Sequence, residues 1–210
     1  MTTTYLDAAG AWPDAGARSL EGTAATAPSE TLRERLASTG PLGLAGARAL
    51  AAGLARALGP AHARGRFHGA LEPGLVWLQG DGVVRLAPRP DTEPTGPGAA
   101  PRLRGPVAPA YRSPEQLLGI EAHGVYADLW TVAVLLYEAL TGTSPFAGPS
   151  IVQTCLSVVH GRFAPPSSLE LGLPESLDAF FARAFRKNRK ERFKSMREIE
   201  LGLVEDLDAA

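Results

Sequence analysis

The sequence predicts a mainly helical α+β fold, a helical bundle with one small β-hairpin. Three observations lead there. Leu44, Ala47, Leu50, Leu54 and Leu58 recur at spacings of three and four, as on an amphipathic helix with one buried face. DLWTVAVLLYEALTG is an apolar run of helical length that opens on Asp128 and ends at Gly142, a residue type suited to the position just past a helix. Between them, VWL and VVRL flank QGDG, and glycine after aspartate supplies the positive φ that a tight hairpin needs.

Taken in order, residues 1–28 are rich in Ala, Gly and Thr, with Tyr5, Leu6, Trp12 and Leu20 as the larger apolar groups and no sustained period. A loosely ordered arm is expected there. SETLRERLA reads as a helix capped by Ser29, and STGPLG as the loop into the long amphipathic helix, which Pro60 should kink near its end. The loop HGALEPG leads to the hairpin. Residues 88–109 hold seven prolines, too many for a helix or inner strand, so an irregular segment is expected. Helical order resumes at Pro114 and continues through the Asp128 run, IVQTCLSVVHG, ESLDAFFARAFR and SMREIELGLVEDL. Two regions follow, the arm at 1–28 and a folded unit at 29–210.

The chain is 45% hydrophobic and 20% charged, with a formal net charge of -1, so no overall field favours nucleic acid or an anionic membrane. Cys155 is the sole cysteine and cannot form an internal disulfide. The start MTTTYLDAAGAWPD has neither a basic nor an apolar leader region, and no run reaches the roughly 18 apolar residues of a membrane span. A cytoplasmic protein is the expectation. Lysine occurs only at 187, 190 and 194, and asparagine only at 188, which excludes any mechanism needing either residue earlier in the chain.

In order and spacing, several segments resemble the large, helical lobe of a protein kinase, in a bacterial Ser/Thr kinase-like form. HARGRFHGALEPGLVWL resembles the catalytic-loop segment, GDGVVRLAPRP the strand running into the Asp-Phe-Gly turn, and APAYRSPEQ the loop ending in Ala-Pro-Glu. DLWTVAVLLYEALTGTSPF is similar to the family's central buried helix, and RKNRKERF to the Arg-containing turn before the last helix. The resemblance covers about Ser29 to Leu203. It implies a kinase-like large lobe, without the family's β-rich small lobe and Gly-rich phosphate loop.

The resemblance also implies structural roles. Glu115 and Arg192 stand where the family forms a buried ion pair, Asp128 where a carboxylate receives hydrogen bonds from the catalytic-loop backbone, Trp130 beside it, and His68 where a histidine packs in that loop. The catalytic positions differ. Ala70 stands at the catalytic carboxylate, Glu72 at the loop lysine, Leu75 at the metal-binding asparagine, Pro88 at the metal-binding aspartate, and Ala108 at the threonine that packs on the carboxylate. These differences lead to the expectation of a degenerate pseudokinase that is no enzyme, uses no cofactor and serves as a protein-binding scaffold or regulatory module. The alternative is residual nucleotide binding or Ser/Thr kinase activity completed by a small lobe from a partner.

The other candidates read mainly as structure. His62, His68, His123 and His160 lack metal-ligand spacing, Cys155 reads as a small hydrophobe, and Ser113, His68 and Asp128 come without a nucleophile elbow. Residues 183–197 carry eight basic residues against one acid, read first as a solvated face and second as a docking surface for an acidic partner or nucleic acid. The face left open by the small lobe is the expected site for a protein partner or self-association. Thr92 and Thr95 lie where kinases carry regulatory phosphosites, with an unmodified loop as the plainer reading.

Overall fold

A computed structural model describes residues 29–80, 83–87, 108–120, 124–170 and 172–208. The arm at 1–28, the Asp81-Gly82 turn, Pro88, His123, Thr92, Thr95 and nearly all of the Pro-rich segment lie outside the described residues.

The elements are β1 (Ser29–Thr31), α1 (Leu32–Thr39), α2 (Gly43–His62), β2 (Val76–Gln79), β3 (Val84–Leu86), α3 (Pro114–Leu118), α4 (Val125–Thr141), α5 (Ile151–His160), α6 (Ser176–Ala184) and α7 (Met196–Asp208). The fold is mainly helical, as the sequence predicts. The sheet, however, has three antiparallel strands in the order β1-β2-β3 rather than a lone hairpin. Ser29 pairs with Gln79 and Thr31 with Trp77, so the segment expected to cap a helix begins as a strand. The reason is a competition between caps. Thr31 is followed three residues later by Glu34, and both arms of a capping box form: the Glu34 N–H donates to Thr31 Oγ1 (3.2 Å), and the Thr31 N–H donates to the Glu34 carboxylate (2.8 Å). Ser29 has no such acid at its third position.

Helix α2 runs through Pro60 to His62, and the Ala63 N–H donates to the Gly59 carbonyl, so bonding resumes past the proline. Its apolar face carries Leu50, Leu54 and Leu58, all buried. Gly53 lies directly against the Val84 side chain, where a Cβ would overlap it, and this close approach lets β3 pack on the helix.

Fourteen of the 17 residues of α4 are buried, on every face, which identifies it as the central helix. It starts at Val125 after Gly124, whose φ of 140° few other residues adopt, so Asp128 sits inside the first turn rather than opening the helix. Aromatic side chains knit α4 to its neighbours: Trp130 stacks on Phe146 with ring centroids 5.3 Å apart, Phe146 meets Phe185 edge-on at 4.8 Å, and Tyr137 meets Phe181 edge-on at 5.2 Å. Such pairs contribute about 0.5–1.5 kcal/mol each beyond area burial. One contiguous cluster joins Leu32 at the first helix to Leu203 in the last. Among the described residues, no helix is long and apolar enough to cross a membrane.

Candidate functional site

The loop from His68 to Leu75 connects the end of α2 to β2, and its conformation is set by buried polar contacts. Asp128, 1% exposed, accepts the His68 N–H through Oδ2 and the Gly69 N–H through Oδ1, each at 2.7 Å. Its Oδ2 also receives His62 Nε2 at 2.8 Å. A buried carboxylate with three donors is compensated, and the loop backbone donors it holds have no need of water. The turn of α4 that places Asp128 therefore fixes a loop nearly 60 residues earlier in the chain.

His68 ties the same loop to the end of β3. The Ala70 N–H donates to Nδ1 at 3.3 Å, which leaves the ring proton on Nε2, and Nε2–H donates to the Ala87 carbonyl at 3.0 Å. The Ala87 N–H donates to the Leu75 carbonyl at 2.9 Å, so the residue before Pro88 is held from both sides. Gln116, at the start of α3, adds a third tie: its amide donates to the Gly69 carbonyl (3.1 Å) and accepts the Ser113 N–H (2.9 Å). Ser113 Oγ in turn accepts the Gln116 N–H, completing a second capping box.

Within this frame, Ala70 is buried, Glu72 is partly exposed with Oε1 4.0 Å from Arg33 Nη2, and Leu75 is half-buried in a short 3-10 turn. Ala108 is exposed and its carbonyl accepts the Tyr111 N–H at 3.0 Å. The fold brings Ala70, Glu72 and Leu75 together on one loop. Protein kinases bind ATP with magnesium, and the hydrocarbon side chains of Ala70 and Leu75 offer no oxygen to a cation that takes oxygen ligands. Neither of these two side chains fits magnesium.

Glu115 and Arg192 meet in a two-pronged pair, with Nη2 to Oε1 at 2.8 Å and Nη1 to Oε2 at 3.1 Å. Arg192 also donates to the carbonyls of Arg186 (2.6 Å) and Lys187 (3.0 Å), and its guanidinium lies 4.7 Å over the Trp130 ring. Burial acts to raise the Glu115 pKa, but the hydrogen bonds and charge of Arg192 outweigh it and hold the carboxyl below its ordinary value.

Three features escaped the reading of the sequence. His62 is Asp128's third partner, although its position showed no metal-ligand spacing. Gln116 bridges α3 to the loop; the S-x-x-Q signature at Ser113 could have shown its capping role, but not its second contact. Tyr111 donates to Glu138 Oε2 at 2.9 Å, and Thr131 Oγ1 donates to the Tyr111 carbonyl at 2.8 Å. Burial raises the pKa values of both Tyr111 and Glu138; for the tyrosine the Glu138 charge adds to the rise, and for the glutamate it prevails over Tyr111 and Arg33.

No protein-family model matches the chain. It is 31% identical over 178 residues to a probable serine/threonine-protein kinase PknB of Bifidobacterium longum, covering 83% of this chain and 26% of that protein. It is 34% identical over 144 residues to the serine/threonine-protein kinase PksC of Streptomyces coelicolor, covering 66% and 25%. With the serine/threonine-protein kinase PknB of Mycobacterium tuberculosis it shares 28% over 177 residues, covering 83% and 28%. The chain thus spans about a quarter of the length of these relatives. The expectation that the chain is no enzyme is corrected by these matches: the relatives are named kinases, and homology to them points toward enzymatic activity. The expectation rests on single side chains, whereas the similarity extends over most of the chain. Its mainly helical fold, the order of its segments and its extended similarity to these enzymes together mean that the chain belongs to the bacterial serine/threonine protein kinase family, with the fold of the kinase large lobe.

Proposed function

We propose that this lobe acts as a protein-binding scaffold or regulatory module. The observation that carries the reading is the loop at 68–75: its backbone is held by Asp128, His68 and Gln116, while Ala70 and Leu75 present hydrocarbon. A rigid frame of this kind suits a surface that must keep its shape for a partner. In kinases this side of the large lobe faces the small lobe, and it is the expected contact face for a protein partner or a second copy.

A second reading keeps the chemistry of the family, with nucleotide binding or Ser/Thr phosphotransfer completed by a small lobe from a partner. What favours it is homology to named kinases. Thermal denaturation of the purified chain with ATP, with and without magnesium, separates the two. Ligand at 100 times Kd stabilises by about 2.7 kcal/mol, an easily read shift. The scaffold reading expects an unchanged midpoint. A reproducible magnesium-dependent rise, or phosphate transferred to a protein substrate, would establish the second reading instead.

A further inference from the structure

The basic run at 183–197 is not one uniform face. Arg183 pairs with Glu198 at 2.9 Å, Arg186 lies 3.9 Å from Glu191, and Arg192 is committed to Glu115. Lys194 and Arg197 instead turn toward a groove of about 800 Å³ formed by the last turns of α2, the first turn of α4 and the start of α7. Arg56, from α2, joins them there. All three cations are exposed, and Glu200 is the single carboxylate among the lining residues.

The floor and walls are apolar. Gly59 and Ala63 leave the α2 surface low, while Val125, Tyr126 and Leu201 stand beside it, Leu201 being 43% exposed. Nothing lies within 4 Å of where a Gly59 Cβ would be, so the floor is open at that point. His62 also lines the groove; its side chain is 9% exposed, and its Nδ1 has no hydrogen-bond partner among the described residues.

We propose that this groove docks an acidic, amphipathic peptide segment of a partner protein, with apolar side chains on the α2 floor and carboxylates against Arg56, Lys194 and Arg197. This rests on the scaffold reading and specifies its partner. The argument is charge complementarity combined with shape. Three cations from two distant segments converge on an apolar trough, a combination that matches alternating carboxylates and aliphatic side chains, and the volume is suited to a short helical or extended segment. A lone phosphate would leave the apolar floor unfilled. A nucleic-acid backbone would be expected to engage a continuous basic stripe, whereas three of the eight cations in this run, Arg183, Arg186 and Arg192, face carboxylates.

The test uses the full chain and fluorescein-labelled peptides of repeating Glu-Leu-Leu-Glu composition, with Gln-for-Glu and Lys-for-Glu versions as controls, read by fluorescence anisotropy. The acidic peptide should bind, weaken with added salt, and outcompete both controls. Charge reversal by R56E, K194E and R197E together should weaken it at least tenfold. Gly59→Leu, which fills the floor without altering charge, should do the same, with far-UV circular dichroism checking that each variant is folded. Equal binding of the Lys peptide, or indifference to both sets of variants, would overturn the proposal. So would an RNA oligonucleotide that displaces the peptide, a self-association abolished by Gly59→Leu, or a gain in peptide affinity when Tyr5, Leu6 and Trp12 are changed to Ala. These results leave the scaffold reading itself standing, because that reading falls on the ATP and phosphotransfer measurements.

Discussion

Glu115 and Arg192 show how much one contact can carry. Arg192 is 3% exposed, and removing its carboxylate partner would strand a buried guanidinium. Glu115→Ala is expected to destabilise by about 3 kcal/mol in urea unfolding, toward the lower end for a broken buried pair because Arg192 keeps two carbonyl acceptors. The pair also sets a pH dependence. The folded pKa of Glu115 is depressed, so its stabilisation is present above the unfolded value near 4.5 and is lost as pH falls through the folded value. Glu115→Gln should therefore show a flatter acid limb than wild type. Glu138 has the opposite sign: its raised folded pKa stabilises below about 4.5, and that contribution disappears as pH rises through the folded value. Glu138→Gln keeps an acceptor for Tyr111 and should raise the urea midpoint above wild type at pH 7 while changing it little at pH 4. Glu115 and Arg192 stand in motifs that name them, whereas Glu138 does not, because nothing in an apolar helical run indicates which hydroxyl will fold onto which of its two carboxylates, Asp128 and Glu138.

Elements were legible where a periodic pattern or a cap dominated, and misread where two signals competed. The Leu50, Leu54 and Leu58 stripe defined α2, and Gly142, with φ of 71°, closes α4 as its position suggested. Serine suits a cap, which favours Ser29 in the sequence, but Thr31 has the acid three residues on. Asp128 reads as a helix opener on the same grounds, yet Gly124 provides the backbone turn and frees the carboxylate to reach the loop at 68–69. Asp128→Ala should accordingly speed amide hydrogen exchange at His68 and Gly69 far more than within α4, where the helical bonds persist. Packing between elements leaves no sequence signature of this kind. Gly53 inside a helical pattern reads as a weakness of about 1 kcal/mol against alanine, but it is the point of contact with Val84. Gly53→Ala is expected to lower stability by about 1–3 kcal/mol despite the better helix propensity, and Val84→Ala in the same chain should recover part of the loss, as a double-mutant cycle would measure.

Across the whole molecule, a single cluster of buried side chains runs from Leu32 to Leu203, so α1 and α7 share one core with the central helix. Heat unfolding followed by near-UV and far-UV circular dichroism should give coincident transitions; two separated steps would mean that the α6–α7 end unfolds independently. The family was visible at this scale before it was visible anywhere else, because no single motif carried it and the order of five segments did. What the family does was not legible from five side chains, since the similarity to named kinases is spread over most of the chain. The Gln116 amide has a consequence at this scale as well. With one end on Ser113 and the other on Gly69, it works as a latch between two stretches that the chain separates by 47 residues. A displacement of α3 would therefore be expected to reach the loop at Gly69 through this one amide.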